Sequence, residues 1–216
     1  MPITSHRLKN LAALGICLCT WAGAEAAERY VDRSNLLPES PFLSWAAAAT
    51  NIQDAVDAAD PGDTIWVTNG FYDGGYGLVN VDSTTRVAVT KALTLRSVNG
   101  PAVTTISGED PIGRIRCVYL TNGAQLIGFT LQNGAAQIFS GPNFQKSGGG
   151  IYSEPGAIVS NCVVIGGYAV SLGGGACGSG TYFDTQFISN NANHGGGACS
   201  GTFYRCSFSN NSATWW

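Results

Sequence analysis

The chain has 216 residues, 29 of them glycine, with 44% apolar and 12% charged residues and a formal net charge of -3 at pH 7. That length suffices for one substantial core, and the apolar content excludes a disordered chain. The slightly negative balance, without a basic stripe, gives no electrostatic reason to expect a nucleic-acid partner.

At the N-terminus, His6, Arg7 and Lys9 form a short basic region, followed by the apolar run "LAALGICLCTWAGA" (Leu11–Ala24) and by Ala24-Glu25-Ala26. This order is that of an export signal, with cleavage expected after Ala26. About 14 apolar residues fall short of the roughly 20 that a membrane-spanning helix needs. Cys17 and Cys19 follow the large apolar residues Ile16 and Leu18, where a lipoprotein site takes a small one. No later segment is suited to cross a membrane as a helix, so the mature chain is expected to be secreted or held at the outer surface. It keeps Cys117, Cys162, Cys177, Cys199 and Cys206, an odd number without C-x-x-C, which is not a disulfide framework.

One segment reads as helical. Thr50 can cap "NIQDAVDAAD", whose Ile52, Ala55, Val56 and Ala59 share a face, and Pro61 stops it. Short β-rich runs closed by turn residues follow: "TIWV" (Thr64–Val67), "ALTLRSVNG" (Ala92–Gly100), "VTTISG" (Val103–Gly108), "RCVYLTNG" (Arg116–Gly123) and "LIGFTLQNG" (Leu126–Gly134). A single amphipathic helix ahead of many short strands reads as a lid on the apolar end of a stack. The stretch "AAQIFSGPNFQKS" (Ala135–Ser147) is a longer excursion, whose Phe139 and Phe144 could stack on a sugar or cover a flank.

From Gly148 the chain repeats itself in three lines: "GGGIYSEPGAIVSNCVVIGGYAVSL", "GGGACGSGTYFDTQFISNNANH" and "GGGACSGTFYRCSFSNNSATWW". Aligned, they put Cys162, Thr185 and Cys206 in one column and Val164, Phe187 and Phe208 in another. Side chains alternate along a strand, so these columns face inward, while Asn161, Asp184 and Arg205, and Val163, Gln186 and Ser207, face outward. GGGAC reads as a corner in which glycines permit a tight turn and close backbone approach. No lysine or helix follows it, so it is not a nucleotide loop. Cys177 and Cys199 become ladder neighbours, either as stacked thiols or as a bridge between coils. After "SNNSAT" the pattern calls for another glycine corner, but Trp215 and Trp216 stand there, which reads as a truncated stack or as a tryptophan plug.

The stretch "SWAAAATNIQDAVDAADPGDTIWVTNGFYDGG" (Ser44–Gly75), with "LTLRSVNGPAVTTISG" and "LIGFTLQNG", resembles the helical cap and early coils of right-handed parallel β-helix proteins of the pectate-lyase-like superfamily. Gly174-Gly175-Ala176 with Phe187–Asn190, and Gly196-Gly197-Ala198 with Phe208–Asn211, resemble the repeats of polymorphic outer-membrane proteins. The resemblance implies an all-β, right-handed parallel β-helix with a short capping helix. Residues 1–26 would be the leader, 27–63 the cap, and 64–216 the coils. The superfamily hosts lyases, hydrolases, adhesins and passive scaffolds, so it does not itself assign an activity.

Glycoside hydrolysis generally needs two carboxyl groups flanking one bond. Between Pro155 and Trp216 there is one acid, Asp184, one base, Arg205, and one histidine, His194, so no such pair can be assembled there. Asp184 and Arg205 share an outward column, either as a contact for a sugar ring or as a surface ion pair. Glu109, Asp110, Arg114 and Arg116 form the densest charge cluster, either as a uronate or cation contact or as a solvated turn; two adjacent acids rarely supply the 6–8 oxygens that Ca²⁺ takes. The expectation is an exported, non-catalytic scaffold, adhesin-like or carbohydrate-binding, without a cofactor and with polysaccharide or cell-surface glycans as partners. The alternative is a lyase or hydrolase of an acidic polysaccharide, the one reading under which Ca²⁺ would enter.

Overall fold

The computed structural model describes residues 25–79, 84–110, 113–136 and 143–215. Residues 1–24, which hold most of the expected leader, Phe139, Trp216 and the side chains of Asp110, Arg114 and Phe144 lie outside the described part. Strands of two to six residues alternate with corners, and each circuit of the chain lays one strand on each of several sheets. Sheet I stacks Glu28–Val31, Thr64–Val67, Thr94–Ser97, Gln125–Ile127, Ile158–Ser160, Thr181–Phe183 and Thr202–Tyr204, all parallel. Sheet II stacks Gly70–Tyr72, Thr104–Ser107, Thr130–Gln132, Val163–Ile165, Gln186–Ile188 and Ser207–Ser209. Sheet III takes Ala135–Ala136, Tyr168–Leu172, Asn191–His194 and Ser212–Ala213. Sheet IV takes Thr84–Val89, Arg116–Leu120, Ile151–Ser153, Ala176–Gly178 and Ala198–Cys199, with Gly77–Leu78 antiparallel at its edge. The chain is a right-handed parallel β-helix, the hand that parallel crossovers take.

The register turns the expected columns into a core. Ile65, Leu95, Leu126, Val159, Tyr182 and Phe203 are successive partners on sheet I. Tyr72, Ile106, Leu131, Val164, Phe187 and Phe208 are partners on sheet II. In the last coils the rings stack, Tyr182 on Phe203 at 4.9 Å and Phe187 on Phe208 at 4.8 Å between centroids. Fully burying such a side chain stabilises the fold by about 1.5–3 kcal/mol, which applies up to Tyr182 and Phe187, whereas Phe203 is partly buried and Phe208 48% exposed.

The corners are equally regular. Asn161, Asp184 and Arg205 turn the chain from sheet I to sheet II in the left-handed region, with φ of 50°, 49° and 52°. That conformation throws their side chains outward. At the next corner Asn190 is fully buried: its Oδ1 accepts from the Gly167 amide (2.8 Å), while its Nδ2 donates to the Val164 carbonyl and to Asn211 Oδ1, both at 2.9 Å. The F-x-x-N spacing thus couples an inward ring to an asparagine that satisfies corner backbone groups. In the glycine corners, Gly173 and Gly195 both have φ of 59°. A Cβ on Gly174 would overlap the Asn191 carbonyl, and one on Gly196 the Ser212 carbonyl.

The helix Ile52–Ala58 covers the N-terminal end with Ile52, Ala55, Val56 and Ala59 buried. Its cap is Asn51, not Thr50: Asn51 is extended, and its side chain accepts from the Asp54 amide at 3.0 Å, which is the third helical position. Gln53 on the helix accepts from the Ala88 amide at 2.8 Å. Below it Arg29 occupies an inward position beside Ile65 and donates to Asp63 (2.9 Å) and to the Pro41 carbonyl (2.7 Å). Asp63 also accepts from the amides of Ala27 (2.7 Å) and Asp60 (2.9 Å). At the far end Trp215 follows sheet III, its amide donating to the Asn193 carbonyl, and its 64%-exposed side chain leaves Phe208 48% exposed.

Candidate functional site

The outer face of sheet I carries the column Tyr30, Trp66, Arg96, Ile127, Ser160, Phe183 and Tyr204. Seven strands at about 4.8 Å spacing make it a ladder about 29 Å long. Aromatic rings stand at both ends. Near the cap the Tyr30 hydroxyl donates to Glu28 (2.8 Å) and Trp66 Nε1 donates to the same carboxylate (3.1 Å). That hydrogen bond first, then burial and the negative charge, pushes the Tyr30 phenol up. The Arg96 guanidinium lies over Trp66, 5.2 Å from its ring centre. Trp45, 43% exposed, packs on Tyr30 with ring centres 4.5 Å apart. Rings and hydrogen-bonding groups are thus interleaved on a rigid sheet.

Beside Trp45 opens a shallow cleft of about 510 Å³, lined also by Asp32, Ser34, Thr68, Asn69, Val98 and Asn99. Asn99 Nδ2 donates to Asn69 Oδ1 at 2.8 Å, and Asp32 accepts from both the amide and the hydroxyl of Ser34. The sequence reading missed this group. Its members come from the cap and from two successive coils, and the signal that could have found it is the recurring Asn-Gly turn, Asn69-Gly70 and Asn99-Gly100.

At the other end of the ladder Phe183 stacks on Tyr204 at 5.1 Å, and each is followed by a corner residue, Asp184 or Arg205. Arg205 binds Asp184 through two hydrogen bonds of 2.6 and 2.8 Å, both side chains well exposed. That pairing holds the Asp184 carboxyl below, and the Arg205 guanidinium above, their usual ranges.

The other sequence candidates lie elsewhere. Glu109–Asp110 and Gly113–Arg114 form a small antiparallel hairpin beyond sheet II. The Glu109 carboxylate accepts from Asn133 at 2.7 Å, and its backbone carbonyl from Arg86 at 2.7 Å. Arg116 follows it on sheet IV. That residue is 2% exposed, donates to the carbonyls of Gly148 and Ser147 at 2.9 Å, and lies over the Tyr152 ring at 5.4 Å. Burial first of all brings it down to about 10. The structure therefore pairs Asp184 with Arg205, keeps Glu109 coils away from them, and buries Arg116 on the flank of sheet IV.

On that flank Tyr119, Tyr152, Cys177 and Cys199 are successive partners. The two cysteines are free thiols. Burial, then the neighbouring Cys199, pushes Cys177 up to about 11. Among the described residues no group of three or more His, Cys, Asp or Glu side chains gathers as a metal site, and no helix is long and apolar enough to cross a membrane.

No family model matches the chain, and no curated protein matches it significantly. Among solved structures it is similar to a rhamnogalacturonan lyase, with 13% identity and a TM-score of 0.43 over 85% of this chain and 50% of that one. It is also similar to a pectin methylesterase in complex with hexasaccharide VII, with 13% identity and a TM-score of 0.47 over 88% of this chain and 68% of that one. The chain thus spans about half the length of the lyase. Likeness of this degree says nothing of what this chain binds, and neither neighbour bears on the likeness of the glycine lines to outer-membrane repeats. The β-helix stands on its own sheets and register.

Proposed function

We propose that this chain is an exported, non-catalytic β-helix that binds polysaccharide or cell-surface glycan along the outer face of sheet I. The observation that carries the reading is the Trp45–Tyr30–Trp66 group, with Glu28, Asp32 and Arg96 beside it, next to the Asn69–Asn99 cleft. A sugar ring offers one apolar C–H face and a rim of hydroxyls. Exposed rings match the first, and fixed carboxylate, amide and guanidinium groups match the second. Two carboxylates, Glu28 and Asp32, flank the rings, and of the nearby arginines Arg33 is already paired with Asp73, which favours neutral sugars over a polyanionic chain. The Phe183–Tyr204 pair with Asp184 and Arg205 supplies a second contact point for a long glycan on the same face.

A glycan array followed by titration of the positives tests this. A ring contact worth about 1.4 kcal/mol corresponds to a factor of about ten, so Trp45→Ala is expected to weaken binding about tenfold while the chain stays folded, with a modest loss of stability from its packing on Tyr30. Binding indifferent to Trp45→Ala, or no glycan bound at all, overturns the reading. Release of unsaturated or reducing ends from acidic or neutral glycans, with or without Ca²⁺, overturns its non-catalytic part.

A further inference from the structure

The outer face of sheet IV carries a cluster that glycan binding does not use. Cys177 and Cys199 are in-register partners on adjacent parallel strands. Parallel in-register side chains project alike, so the two Cβ atoms stand one strand spacing, about 4.8 Å, apart. A disulfide wants its Cβ atoms nearer, about 3.8 Å apart, and turned toward one another. Two metal–sulfur bonds of about 2.3 Å in a line span about 4.6 Å. The ladder spacing therefore fits a bridging ion better than a bond between the sulfurs.

Two neighbours point the same way. The Ser147 hydroxyl is turned to the Cys177 sulfur, is 1% exposed, and has no hydrogen-bond partner of ordinary geometry. A buried oxygen left in that state is costly unless something occupies the site. The Arg116 guanidinium, held over Tyr152, lies within electrostatic reach of Cys177. Cys199 is partly exposed and gives an entry from solvent.

We propose that Cys177 and Cys199, with Ser147 at their side, form a site for a soft monovalent d¹⁰ cation of the copper(I) or silver(I) class. Thiolates select such ions over hard cations. On binding, two S–H bonds break and both protons pass to solvent, two metal–sulfur bonds form, and no electron is transferred. The bis-thiolate complex carries one negative charge, which Arg116 offsets. The site is independent of the glycan reading, since sheets I and IV face different sides of the coil.

The test is calorimetric titration of the reduced chain from Ala27 onward, without Cys17 and Cys19 of the expected leader, with silver(I) in chloride-free buffer. One tight equivalent per chain is expected. Cys177→Ser and Cys199→Ser should each weaken it at least a hundredfold, while Cys206→Ser leaves it in place. Should the serine variants fail to fold, alkylation of the unmodified protein decides: one equivalent of silver(I) must protect Cys199 from iodoacetamide. Unchanged affinity in both folded serine variants, or alkylation of Cys199 unaffected by silver(I), overturns the proposal. So does a purified chain in which Cys177 and Cys199 are already joined.

Discussion

Replacing Asp63 with alanine is expected to cost about 4 kcal/mol. The carboxylate sits in the turn between the capping helix and Thr64–Val67, and accepts from Ala27, Asp60 and Arg29 at 2.7–2.9 Å. The Arg29–Asp63 side chains are 6% and 3% exposed. Removing one partner of a buried pair typically costs about 3–5 kcal/mol, and the Asp60 carboxylate, 3.9 Å from Arg29 but 81% exposed, is a solvent-screened partner that offsets little of it. The two amides that also lose their acceptor are partly open to water and add little. Against a total stability of about 5–15 kcal/mol this is a large loss, and it falls on the cap. The pH dependence carries a definite sign. Burial would raise the Asp63 carboxyl, but the amides of Asp60 and Ala27 and the Arg29 side chain outweigh it and hold it below its ordinary 3.8. A depressed folded value means that this stability is present above the unfolded value and is lost as pH falls through the folded one. Urea unfolding followed by far-UV circular dichroism at about pH 7 and about pH 2 measures both effects. A loss under about 1 kcal/mol at neutral pH, or a gap between the two proteins that stays constant down to pH 2, refutes the reasoning.

Three further outcomes follow from the coils. Phe187→Ala removes a fully buried ring and should cost about 3–5 kcal/mol, whereas Phe208→Ala, at a half-exposed position, should cost clearly less, as read from denaturant midpoints. Gly174→Ala drives a Cβ into the Asn191 carbonyl and should cost about 1–3 kcal/mol or more, while Gly74→Ala, with open space around it, should leave the thermal midpoint unchanged. Tyr182→Phe deletes a buried 2.8 Å hydrogen bond to Ser153 and should lower stability by about 1 kcal/mol in the same assay.

The glycine lines were legible because their coils are nearly equal in length. Cys162, Thr185 and Cys206 fall into one column, and the neighbouring column Val164, Phe187 and Phe208 is in register on sheet II. Before Gly148 the coils carry excursions, so the row Tyr30, Trp66, Arg96 cannot be aligned from spacing. Each of those residues reads alone as a strand residue of no consequence. Arg29 was hidden for a different reason. An arginine in "ERYV" reads as outward, and the buried carboxylate that lets it point inward lies a coil away. Arg116 shows the converse. Its neighbours in sequence suggested a charged loop, but the backbone carbonyls that receive it belong to the next glycine corner. The Asn51 cap was a contest between two adjacent good caps, decided by which side chain reaches the third amide of the helix.

The hairpin at Glu109–Arg114 leaves and rejoins the coil at a single point, since the Ile115 amide donates to the Gly108 carbonyl at 2.8 Å. Glu109 at its base accepts from Arg86 and Asn133 and has to stay, but the segment beyond it is closed by its own flanks. Doubling the length of such a loop costs only about 0.6 kcal/mol in closure entropy. The hairpin is therefore a grafting point, where a foreign peptide could be carried on the side of the stack while the sheet I ladder keeps its spacing.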